Sequence, residues 1–491
     1  MTQVRARKAT NRARPVRAKN SGRMPAEFDS ANVAPAPLED DERTRRQRRF
    51  WFAALISLTW AYVVVPRTLQ SQLADKSKQY VGQDSTPYNG LAKQALTDLT
   101  YLLILCCVAI LVIWAKQARL RHGTGLVIVL LPWVYLMARD QYAAVSLHKA
   151  MVLYPLITVA IFVLRPDIRG LKVLGYLIGV TAIISLAMGA LEPAKGILSH
   201  ADGTVIMADK QIVPGGTLIG MFTDGNNLGQ FLIMGFAAIG FIESRSWRWT
   251  MWSTTTFALV WSASRSSLLA LVAMIVVALI LQSITRPNRG VVGAIAVTVQ
   301  LTVVISLPLV TTVPGAYSNR GYIWHQSLMA WAQNPTFGLG ANFYAKIGAS
   351  SSALGGTVFH GHNEFVHALV TGGMVLAVLM GVVIVAGVAA SARLTAQGSN
   401  FGFLYLVTFL GACLFEVSFA IVDREFLFPV LVVPLTAIMF GTFAEASDPA
   451  AVEAAAVEPA RAATPRTATA RRRAVRSRRT PVHGTISARS V

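Results

Sequence analysis

Charged side chains are scarce in this chain: Asp, Glu, Lys and Arg make up only 14% of its 491 residues, against 54% hydrophobic. An ordinary soluble domain carries about 25% charged residues, so a water-soluble globule is excluded and a membrane protein is the natural class. Cysteine is scarcer still. The three present, Cys106, Cys107 and Cys413, lie inside apolar runs, which excludes a disulfide framework and leaves them as small packing residues. The spacing that sets two histidines one helical turn apart around a glutamate is also missing. His360, His362 and His367 do not supply it, and Glu364 follows His362 by only two residues, so no metal site is expected. No internal repeat is evident, which removes the inverted-repeat signature of many secondary transporters. Nor is a cleavable leader expected: about fifty polar residues precede the first apolar stretch and no small-residue cleavage site follows it. That stretch is expected to remain as an anchor.

Acidic residues are outnumbered 24 to 45 by Lys and Arg, giving a net charge of +21. Most of the excess sits in two tails, residues 1–49 and residues 446–491, which mix Arg with Ala, Pro and Thr. Such segments bury little apolar surface and are expected to be disordered. Their position beside apolar runs makes them cytoplasmic topology signals that attract anionic lipid, with no nucleic-acid partner implied.

What is abundant is the long apolar run. Segments near 50–65, 98–115, 124–138, 150–164, 171–190, 227–242, 249–263, 266–284, 290–310, 365–390, 401–420 and 426–443 read as membrane helices. The expected fold is all-α: a polytopic transmembrane helical bundle of about twelve helices over 50–445. Short loops carrying Lys116, Arg119 and Arg121, then Arg165, Arg169 and Lys172, Arg245 and Arg248, Arg286 and Arg289, and Arg393 fall on the side of the tails. The opposite loops 66–97, 191–226 and 311–364 are long and dilute in cations, which is the pattern of translocated segments. The longest, 311–364, is expected to be an extracytoplasmic loop with short helices, and ordered loops of this length are usually functional.

Three chargeable groups stand on the outer side of this topology. Arg265 opens an apolar helix in Ser264-Arg265-Ser266-Ser267-Leu268; a cation there either has a functional partner or snorkels to the interface. Arg320 lies in Arg320-Gly321-Tyr322-Ile323-Trp324, upstream of Asn334-Pro335-Thr336-Phe337-Gly338, where a solvated loop arginine is the plain alternative. His362, in His360-Gly361-His362-Asn363-Glu364, directly precedes a helix and can be packed, capping or catalytic. Asp224, Asn226 and Asn227, in Thr223-Asp224-Gly225-Asn226-Asn227-Leu228-Gly229, can bind sugar hydroxyls or cap a helix. Apolar-flanked acids or bases at mid-membrane are few, with Glu416 the main exception, which argues against a transporter or flippase of envelope precursors.

Arg265-x-x-x-Leu269 at a helix start, the Arg320 to Gly340 segment, and His362-Asn363 leading into a helix with Gly373 follow one another in an order that resembles the O-antigen ligase and polymerase family, over roughly residues 215–390. The Asn227-Leu228-Gly229 opening of a helix also looks like that family's. One position departs from the ligase pattern: Leu376 stands where a Gly, Thr or Tyr is common. The resemblance implies a metal-independent, inverting glycosyltransferase without cofactor, in the bacterial cytoplasmic (inner) membrane, with both termini inside and the site on the outer face. It would move a glycan from a polyprenyl-diphosphate donor to a hydroxyl of a glycan, lipid or protein acceptor, or polymerise lipid-linked repeat units. Arg265 and Arg320 would hold the diphosphate by forked, charge-assisted hydrogen bonds, and His362 would take the acceptor proton.

Overall fold

The computed structural model describes residues 42–73, 89–117, 123–142, 150–199, 205–206, 210–348, 360–419, 421 and 425–443. The basic tails up to residue 41 and from residue 444, together with Arg119 and Arg121, lie outside the described residues. The chain divides between Gln47 and Arg48 into two units, the first described only over 42–47. Those residues open helix α1 (Glu42–Leu73). The end of the segment expected to be a disordered tail is therefore helical, as its Glu, Arg and Gln, good helix formers with an acid in the first turn, permit.

All regular structure among the described residues is helical, apart from isolated bridges such as Ile197 to Leu218. In order follow α2 (Gly90–Trp114), α3 (Gly123–Tyr142), α4 (Ala150–Leu164), α5 (Lys172–Leu191), α6 (Pro193–Gly196), α7 (Gly225–Phe236) and α8 (Arg245–Trp261). Then come α9 (Arg265–Ser283), α10 (Arg286–Val310), α11 (Ala316–Trp331), α12 (Phe343–Gly348), α13 (Glu364–Ala396), α14 (Phe401–Cys413) and α15 (Phe428–Phe440).

Among the described residues, seven helices are long and apolar enough to cross a membrane: α1, α2, α3, Ile168–Leu191 with α5 inside it, α9, α10 and α13. Their outward rows are apolar too. Val272, Val276 and Leu279 on α9, and Val291, Ile295 and Val299 on α10, recur at helical spacing and stay exposed, a surface suited to lipid and not to water. The chain is thus a multi-pass membrane protein. Of the about twelve crossings expected from sequence, several others form shorter apolar helices, Met151–Leu164, Phe401–Cys413 and Glu425–Phe440. The 13 residues of α14 rise about 20 Å, less than the roughly 30 Å of a hydrocarbon core. Every residue of α15, and every residue of α14 except Leu404, is buried. Both are apolar all round because protein surrounds them.

The segment between α10 and α13 carries α11 and α12 and docks into a break in α13. At the break Gly373 has φ 68° and ψ −168°, a conformation essentially confined to glycine. Strand-like bonds from the docked segment replace helical ones: Leu339 N–H donates to Val370 O (2.6 Å), and Met374 N–H donates to Pro335 O (2.9 Å). Arg139 of α3 closes the joint, donating from Nε to Phe337 O (2.7 Å) and from Nη2 to Gly338 O (2.9 Å). Leu376, the residue that departs from the ligase pattern, is buried beside Leu136 and Ala368 just past the break.

Candidate functional site

The turn Ser262–Ser264 joins α8 to α9 and aims Arg265. Ala263 takes a left-handed φ of 51°, and Ser264 Oγ meets Ser267 Oγ at 2.8 Å across the first turn of α9. Helix α7 presses against this turn because a glycine faces it: a Cβ on Gly229 would lie 2.4 Å from Ser264 Cβ. That contact gives the Asn227-Leu228-Gly229 motif a packing role. Arg265 itself is exposed and makes no hydrogen bond or ion pair with the described residues.

Arg320 is held very differently. Three consecutive left-handed residues, Tyr317, Ser318 and Asn319 (φ 54°, 60° and 66°), precede it, at about 1–3 kcal/mol of strain each. Its Nε donates to Phe415 O (3.1 Å), Nη1 to Tyr317 O (3.4 Å) and Nη2 to Glu416 Oε1 (2.8 Å). A guanidinium has five N–H donors, so one on each terminal nitrogen remains for a ligand. Glu416 is only 2% exposed, and a buried carboxylate needs such a partner. Its Oε2 also lies 3.5 Å from His360 Nε2 and 3.9 Å from His362 Nδ1.

His360, His362 and Glu416 have the composition of a metal triad, and His360 also bridges the other two. His362 N–H donates to His360 Nδ1 (3.1 Å), so Nδ1 carries the ring's lone pair and Nε2 its proton. That Nε2–H faces Glu416 Oε2 at 3.5 Å.

His362 is fixed from both sides. Its carbonyl accepts from Trp324 Nε1 (3.2 Å), and its φ of 45° turns the chain sharply into α13. Asn363 caps that helix, accepting from Val366 N–H (3.1 Å), while its Nδ2 donates to Val304 O (3.0 Å) and Leu414 O (3.1 Å). Glu364 Oε2 accepts from Ser418 N–H (2.5 Å) and Phe419 N–H (2.7 Å). Gln230 of α7 reaches the same stretch, donating from Nε2 to Val417 O (2.9 Å). The segment Phe415–Phe419 is therefore a hub on which α7, α11 and α13 converge.

Arg265, Arg320 and His362 open onto one cavity of about 740 Å3, joined there by Asn226 and Lys210. The other polar candidates have local duties. Asp224 caps α7, accepting from Asn226 N–H (3.2 Å), and Asn227 Nδ2 donates to Thr223 Oγ1 (3.2 Å); neither lines the cavity. His367 stacks on Tyr344 at 5.3 Å and 13°. Burial pushes the Tyr344 phenol up, against the opposing hydrogen bond with Ser327, and its OH donates to Ser327 Oγ (3.0 Å). Of the six non-glycine residues with positive φ among those described, only Arg165 lies away from this site. Backbone strain is concentrated where the cavity is built, as is common at functional sites.

Two groups escaped the sequence reading of the site. Lys210 lies in a loop that looked poor in cations, and Glu416 was visible as an apolar-flanked acid but its partner Arg320 is 96 positions away. Residues 250–381 match the family model described as O-antigen ligase. The matched stretch contains Arg265, Arg320, His362 and Gly373 and leaves out Lys210, Asn226 and Glu416. No curated protein matches the chain.

Proposed function

We propose that this chain, which carries an O-antigen ligase family segment, is a ligase-type glycosyltransferase that moves a glycan from a polyprenyl-diphosphate donor to an acceptor hydroxyl. The observation that carries the reading is a single cavity holding an exposed, uncommitted Arg265, an Arg320 locked by Glu416, and His362. In the transfer, the acceptor oxygen attacks the anomeric carbon and forms the new C–O bond. The bond from that carbon to the diphosphate oxygen breaks, and the diphosphate leaves with the electron pair. His362 accepts the hydroxyl proton. A single displacement of this kind inverts the anomeric centre. Negative charge grows on the departing diphosphate, so arginines already in place favour the transition state over the ground state. No step calls for a metal.

The site belongs at one membrane face. Helix α9 has 19 residues, so Arg265 at its start stands about 28 Å from the Arg286 and Arg289 pair that opens α10. That is close to one hydrocarbon thickness. Cation-rich short loops favour the cytoplasm, which supports an orientation with Arg265 and its cavity on the outer side of the cytoplasmic membrane and both termini inside. A Gln333→Cys variant, at an exposed position past α11, should react with an impermeant thiol reagent added from outside. The native Cys106, Cys107 and Cys413 are buried and give a low background. Reaction only after lysis would reverse the orientation.

The reaction itself is tested with purified protein in detergent micelles, a radiolabelled glycan on prenyl diphosphate, and a chelator in the buffer. Transfer to an added acceptor is expected without vesicles or a gradient. Absence of transfer, with movement of intact donor across proteoliposomes instead, would replace the enzyme by a transporter.

A further inference from the structure

We propose that Lys210 is a third cation of the donor site, binding the diphosphate together with Arg265; this rests on the donor reading above. The two residues line one cavity, as does Asn226. Lys210 is half-buried, and its Nζ donates to Asn226 Oδ1 at 3.2 Å. An amide oxygen positions an ammonium without neutralising it. Among the described residues Lys210 meets no carboxylate.

The placement is built into the fold. The stretch that follows Lys210 is stapled to the turn that aims Arg265: Leu218 N–H donates to Trp261 O (3.1 Å), and Trp261 Nε1 donates to Gly216 O (3.2 Å). Further back, Leu198 N–H donates to Thr217 O (2.9 Å) and Gly220 N–H to Gly196 O (3.0 Å). The loop and the start of α9 therefore present their cations from one frame. Asn226 reaches the same place from the first turn of α7.

Charge balance points the same way. Among the described residues, Lys210, Arg265 and Arg320 bring three positive charges to the cavity, and Glu416 cancels one through its 2.8 Å bond to Arg320. The two that remain match a diphosphate diester, which carries one negative charge on each phosphate. Without Lys210 the site would hold one charge fewer than its ligand. The sugar-binding role expected for Asn226 is recast as well: its side-chain oxygen is engaged in holding the lysine.

The test is equilibrium binding of a prenyl diphosphate and of the prenyl monophosphate of equal chain length to the full chain in detergent, compared among wild type, Lys210→Ala, Lys210→Arg and Arg265→Ala. Loss of one charge-assisted contact predicts a diphosphate Kd raised about tenfold or more in Lys210→Ala. The monophosphate Kd should change by less than about twofold, and Lys210→Arg should restore most of the diphosphate affinity. Wild-type diphosphate affinity in Lys210→Ala, with weakened binding in Arg265→Ala, overturns the assignment of Lys210 and leaves the donor reading standing. Undiminished binding in both alanine variants removes the donor reading itself. A Lys210→Ala defect confined to donors bearing an acidic sugar would assign the lysine to a sugar carboxylate and overturn the diphosphate role.

Discussion

Replacing His362 by alanine is expected to slow single-turnover transfer by about 10²- to 10⁴-fold, the range for a positioned acid or base, while donor affinity stays near that of the wild type. The split follows from the geometry. Arg320 is anchored by Phe415 O and Glu416, and Arg265 by the Ser262–Ser264 turn, so neither depends on the imidazole for its position. The sugar hydroxyl that attacks is a weak nucleophile until its proton has somewhere to go. His362 lines the same cavity as both arginines, with Glu416 Oε2 3.9 Å from its Nδ1 to favour the imidazolium that forms. Alanine is also strained at the φ of 45° found here, so a second variant is needed. Asparagine tolerates that conformation better and offers no base, and His362→Asn should fall as far as His362→Ala. Near-wild-type single turnover in either folded variant would remove His362 from proton transfer.

The largest structural effect is expected at the break in α13. A Cβ on Gly373 would sit 2.1 Å from Thr336 O and 2.5 Å from Phe337 N, both backbone atoms of the docked segment, with φ at 68°. Neither chain can yield without losing the bonds that dock Pro335–Gly340, so Gly373→Ala should destabilise the protein by at least about 3 kcal/mol. Thermal aggregation of the detergent-solubilised protein reads this directly. Gly381→Ala in the same helix is the control, because its Cβ would meet nothing within 4 Å and alanine is the better helix former. Equal thermal stability of the two variants would show that the docked segment does not need the glycine.

The helices were legible because crossing a bilayer demands long apolar runs, and those runs need no partner to be recognised. Burial inside the bundle demands the same composition over a shorter length, which is why α14 and α15 look like spans in the sequence and measure short in the structure. Arg265, Arg320 and His362 were legible as an ordered set of fragments. Their difference in state was not, since it arises from a carboxylate distant in sequence. Asp224 shows the opposite case, where a polar residue that could touch a sugar is satisfied within one turn of its own helix. Lys210 escaped because loop composition does not reveal which residues a later helix end will meet, and the staple to Trp261 forms only in three dimensions.

The hub at Phe415–Phe419 also bears on the order in which the protein can become active. Its chain emerges from the ribosome long after Arg265 and His362, yet it supplies the carboxylate that fixes Arg320 and the backbone groups that Asn363 and Glu364 hold. Because synthesis runs from the N-terminus, a nascent chain stalled before α14 would contain the whole family-matched stretch and still lack a formed centre. Formation of the site would then come late in membrane insertion, when the bundle around the cavity is already nearly complete. The matched stretch alone could not be transplanted as a working module.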